Sequence, residues 1–139
     1  MWIITTHGFL SIVEDELDPS TVLVRGRDYN DVLTAARLYV RATGEAGARA
    51  EEIVQKTPEA DYLYRFWASK SDFEPVILDL FRSVKYPNFK NAVKDIDPER
   101  AYTYGLVWSD LYEIQQDRRL INIFRDPDTI DLFDEGALE

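Results

Sequence analysis

A chain of 139 residues, 45% hydrophobic and 13% aromatic, has material for one hydrophobic core and is too apolar for a disordered segment. It contains no cysteine, which excludes disulfides, thiolate nucleophiles and Cys-ligated metal. Its formal net charge of -10 repels nucleic acid and anionic membranes at long range, so any phosphate binding needs a local basic patch.

In chain order, WIITT and GFLSIV read as two short strands divided by His7-Gly8. The apolar run at the start is too short for a signal peptide or a membrane span, and the expected location is cytoplasmic. After the loop EDELDPS, TVLVRGR alternates as a third strand. Asp28 or Asn30 can cap a helix through DVLTAARLYVRAT, with Val32, Ala35, Ala36, Tyr39 and Val40 on its core face. The glycine-containing GEAGARAEE reads as a loop, EIVQK as a short strand, and ADYLYRFWAS as a further strand. Ser71 or Asp72 can cap a helix through FEPVILDLFRSVKY, with Phe73, Ile77, Leu80, Phe81 and Val84 as its buried stripe.

Pro87 ends that helix and Asn88 can cap a short new one, so YPNFK is expected to be a helix-to-helix corner with Tyr86 and Phe89 at least half buried. Asp97-Pro98-Glu99 is a start signal for a last helix, because Asp caps, Pro suits the first position and acid suits the positive end of the dipole. Its expected core face is Ala101, Tyr104, Val107, Trp108, Leu111 and Ile114, and Gly105 is expected to mark a close helix contact. This order predicts an α+β fold: an antiparallel sheet of about four strands with two to three helices packed on one face. The expected organisation is a single domain over residues 1–125 followed by an acidic tail over 126–139.

The start MWIITTHGFLSIV, the corner KYPNFKNAV and the later YTYGLVW together resemble a family of small bacterial and phage proteins. The resemblance spans roughly residues 1–112. It implies no activity, cofactor or site residue; it implies a chain that can be phage-encoded and directed at a host.

Four constellations bear on function. His7 is a candidate general base, with Glu14 or Asp61 as orienting carboxylates, but a His beside a Gly at a strand turn is more often a polar turn residue. Alternation places Leu23, Arg25 and Arg27 on one strand face and Leu63, Arg65 and Trp67 on another, with Tyr62, Tyr64 and Phe66 opposite. Sharing one uncovered sheet face, Arg25, Arg27, Arg65 and Trp67 make a surface for a phosphate or an unstacked base. The simpler expectation is that these arginines pair with neighbouring acids or stack on Trp67. YPNFK is a third candidate, with exposed aromatic anchors as the alternative to a structural corner.

The fourth lies in the tail, which has six acids and no base. Within it TIDLF resembles the peptide by which bacterial replication proteins bind the sliding clamp: Ile130, Leu132 and Phe133 match in kind, Asp131 in identity, and Thr129 departs from the usual Gln. The alternative is that these residues pack on the chain itself or across a homodimer. No P-loop, metalloprotease or nucleophile-elbow motif occurs, and no cofactor is expected. The sequence therefore points to a non-enzymatic protein-binding chain, with a nucleic-acid-associated arginine face second and an enzyme third.

Overall fold

The computed structural model describes residues 1–44 and 49–116. Its elements are β1 (Trp2–Thr5), β2 (Gly8–Glu14), β3 (Thr21–Gly26), α1 (Tyr29–Thr43), α2 (Ala50–Ile53), β4 (Gln55–Lys56), β5 (Tyr64–Ser69), α3 (Lys70–Arg82), α4 (Phe89–Ile96) and α5 (Pro98–Gln116). The chain divides into two compact units, Met1–Pro87 and Asn88–Glu139, and the boundary falls inside YPNFK. No helix among the described residues is long and apolar enough to cross a membrane.

The first unit is α+β, as the sequence predicts. Its five strands form one antiparallel sheet in the order β1-β2-β3-β5-β4. One sheet face carries Leu10, Ile12, Val24, Phe66 and Ala68, which join Val32, Ala35 and Ala36 of α1 and Phe73, Val76 and Leu80 of α3 in the core. Burial of alternate strand residues against periodic helix residues follows from the two repeats, two per strand pleat and 3.6 per helical turn. Tyr39 links the layers: its ring lies 5.8 Å from Phe66 and 6.3 Å from Phe73.

Local chemistry sets the element ends. Asp28 caps α1, accepting from the backbone N–H groups of Asn30 and Asp31, and Gly44 ends the helix at φ +66°, where a side chain is disfavoured. Asp28→Ala is therefore expected to cost about 1 kcal/mol of stability, read from the midpoint of urea unfolding. In the loop between β2 and β3, the Asp18 carboxylate accepts from the side chains of Ser20 and Thr21 and from the Ser20 backbone, and these bonds hold its carboxyl below the usual carboxylate range. A lowered folded-state value makes this contribution complete above the unfolded-state value, near 3.8, and lost as pH falls through the folded one.

The structure differs from expectation at several places. The sheet has five strands rather than about four, the described residues form five helices rather than two to three, and α3 ends at Arg82, short of Pro87. EIVQK is not one strand: Ala50–Ile53 forms a helical turn, and only Gln55 and Lys56 pair, with Arg65 and Tyr64. The helix α3 begins two to three residues early, capped by Ser69 rather than Ser71 or Asp72. Its buried line is Phe73, Val76 and Leu80, while Phe81 is 75% exposed and Val84 is exposed as well. Gly105 has nothing within 4 Å of where a Cβ would stand, so it marks no close helix contact.

The described residues of the second unit form a helix pair. Asn88 caps α4 by accepting from the Asn91 N–H, and Asp97 caps α5 by accepting from the Arg100 N–H. Phe89 stacks on Tyr104 with ring centroids 6.0 Å apart and planes 13° from parallel. Tyr86, in the first unit, and Phe89, in the second, are each more than half buried, as expected, although the preceding helix does not reach YPNFK.

Candidate functional site: the open face of the sheet

The register decides what the face away from α1 and α3 carries. Trp2 pairs with Ser11, Ser11 with Arg25, Arg25 with Arg65, and Arg65 with Gln55, so these five residues form one row across all five strands. The next row, Val13, Leu23 and Trp67, lies on the same face. The structure thus brings Arg25, Arg65 and Trp67 together on one face, which the alternation of each strand left open and the register between β3 and β5 decides.

The sequence leads one to expect these arginines to pair with neighbouring acids, and among the described residues none of them does. The Arg25 guanidinium donates from Nη2 to Ser11 Oγ at 2.9 Å. Arg65 donates to the Tyr62 carbonyl at 3.2 Å, and Arg27 to the Asp61 carbonyl at 2.8 Å. Among the described residues no carboxylate lies within ion-pair distance of any of the three. The other five described arginines, Arg37, Arg41, Arg49, Arg82 and Arg100, each pair with an acid.

Cation–π stacking is present, on a different ring from the one expected. The centres of the Arg25 and Arg27 guanidiniums lie 4.7 and 4.8 Å from the centroid of Tyr62. Tyr62 precedes β5, so the strand alternation that would set it beside Tyr64 and Phe66 does not reach it. Its ring instead lies on the open face, 6.4 Å from Phe9, which in turn meets the Trp2 ring edge-on at 5.5 Å. Tyr62 is 4% exposed, so the arginines roof a small second core. Trp67 donates its indole N–H to Asp15 Oδ1 at 3.0 Å and keeps 41% of its surface exposed.

Ser11, Phe9 and Tyr62 are the members of this face that sequence reasoning missed. The signal for Ser11 was a lone hydroxyl within the apolar run FLSIV, where a buried polar side chain needs a partner from a neighbouring strand.

The remaining candidates fare differently. His7 is exposed and lines a shallow cleft of about 10 Å³, room for one water, with Thr5, Asp31 and Thr34. Neither proposed orienting carboxylate reaches it: Glu14 stands at the far end of β2 and pairs with Lys70, and the Asp61 carboxylate accepts from the Tyr62 N–H. No group of three or more His, Asp and Glu side chains among the described residues is placed to hold a metal ion. The tail residues Ile130, Asp131, Leu132 and Phe133 lie outside the described residues.

The expected core face of α5 is open at its C-terminal half. Trp108, Leu111, Tyr112 and Ile114 are exposed, as are Tyr102 and Leu106. Comparisons with protein-family models, curated proteins and solved structures give no match.

Proposed function

We propose that the chain is a non-enzymatic binding protein that acts by protein–protein contact, with α5 as its docking helix. The observation that carries this reading is the distribution of apolar side chains around α5. Tyr102 and Leu111 are nine residues apart, about two and a half turns, and so stand on opposite sides of the helix; both are exposed. Apolar side chains exposed on opposite sides of one helix, between the polar Thr103, Ser109, Asp110 and Glu113, offer a surface for other protein to cover. Trp, Tyr and Leu side chains clustered on a single helix also suit the anchors of a protein interface. On this reading Ile130, Asp131, Leu132 and Phe133 are a second contact segment, with a bacterial sliding clamp as its specific partner, and the resemblance to bacterial and phage proteins fits a host-directed role.

Photocrosslinking tests the reading. A photoreactive residue at Leu111 is expected to yield one discrete adduct in bacterial extract, and the same residue at Leu17, 94% exposed in a loop, is expected to yield none. An adduct of twice the chain mass identifies the partner as a second copy, and competition by a peptide of residues 126–139 identifies a partner read by the tail as well. The same ladder of adducts from both positions, or none from Leu111, contradicts the proposal.

A further inference from the structure

We infer that the open face of the sheet is an anion site, in which Arg25 and Arg65 take the phosphate of a nucleotide and Trp67 offers its ring face to the base. The inference is independent of α5 and its partner.

Its first support is an arrangement that costs stability in the free chain. Arg25 and Arg65 are direct cross-strand partners, and like charges directly opposite one another in a sheet destabilise it. In a chain with 26 acids against 16 bases, opposite charges were available to neutralise the pair. Every other described arginine has such a partner; Arg25, Arg27 and Arg65 alone do not.

Its second support is unspent hydrogen-bonding capacity. A guanidinium offers five N–H donors in a planar fork suited to phosphate, and each of these three donates to one neutral oxygen. The Nε atoms of Arg25 and Arg65 are both buried without an acceptor. An anion seated over the pair offsets their mutual repulsion whichever N–H groups it touches.

The third support is preorganisation. The Tyr62 ring beneath Arg25 and Arg27, with Ser11 and the Asp61 and Tyr62 carbonyls, fixes the guanidiniums before any ligand arrives. Trp67 lies two residues beyond Arg65 on β5, about 7 Å along the strand, and its bond to Asp15 fixes the ring with its surface exposed. Base stacking on such a ring is tolerant of base identity. Asp15 and Asp61 are the acids at the rim, and both are engaged. The net charge of -10 acts against a long polyanion more than a mononucleotide, since screening confines fields to about 8 Å at physiological salt.

The test is titration, followed by amide chemical shifts and unfolding midpoint, with inorganic phosphate, AMP and a single-stranded oligothymidylate at matched ionic strength. Ligand is kept below about 10 mM, under the range in which salt exclusion stabilises any protein. Phosphate and AMP are expected to shift the amides of β3 and β5, with AMP binding about tenfold tighter through stacking. Arg65→Met is expected to abolish both responses while leaving the ligand-free midpoint unchanged or raised. Trp67→Leu is expected to remove only the advantage of AMP over phosphate, which keeps the test decisive should the arginine variant fail to fold. Oligonucleotide binding that AMP displaces identifies a strand as the nucleotide source and supports the site. Shifts that persist in Arg65→Met, oligonucleotide binding that AMP does not displace, or no response to phosphate and AMP overturn it.

Discussion

Replacing Phe66 with alanine is expected to remove about 3–5 kcal/mol of stability. Phe66 sits on β5, between β3 and β4, and is fully buried. Its ring meets Tyr39 of α1 at 5.8 Å and Phe73 of α3 at 6.2 Å, so one side chain holds sheet and both helices together. Truncation leaves a cavity lined by two other rings that are fixed by their own elements, and the surroundings cannot collapse to fill it. Urea unfolding of the first unit measures the loss, and Phe66→Leu, which conserves most of the volume, is expected to recover more than half of it. A midpoint for the alanine variant close to that of the parent contradicts the assignment of this core.

Gly8→Ala is the second large effect. Gly8 has φ +150°, a region that side chains rarely occupy, and a Cβ placed there would lie 2.4 Å from Cγ of Asp31. Asp31 cannot simply withdraw: it is buried, and its Oδ2 accepts the Phe9 N–H at 2.9 Å, fastening the turn between β1 and β2 to the first turn of α1. Backbone strain contributes about 1–3 kcal/mol and the forced contact about 1–3 kcal/mol more. The loss is expected to be local as well as global, with hydrogen exchange faster at Phe9 and its β1 neighbours. Retention of the parental midpoint and of Phe9 protection would refute the Asp31 lock.

Many elements of both units were legible in the sequence, because strands with one buried face alternate and helices announce their caps. Alternation in β5 put Arg65 with Trp67 and alternation in β3 put Arg25 with Leu23, and Asp28, Asn88 and Asp97 were visible as caps. The direct opposition of Arg25 and Arg65 was not legible, since register between strands so far apart in the chain depends on the whole fold. In α3, Phe73, Val76 and Leu80 satisfy helical spacing as well as Phe73, Ile77 and Phe81 do, and only the sheet they meet decides which line is buried. β4 has two residues, too few for any period to show. For α5 the pattern Val107, Leu111, Ile114 reads as core because sequence periodicity cannot distinguish the chain's own interior from an exposed apolar face.

That distinction is what the double variant Leu106→Ser, Leu111→Ser measures. Both positions are exposed, so the unfolding midpoint is expected to stay within the range of ordinary surface changes, about 0.5 kcal/mol, while the crosslinked adduct formed from a photoreactive residue at Ile114 disappears. A variant that keeps the adduct, or one destabilised on the scale of Phe66→Ala, would contradict α5 as the docking helix.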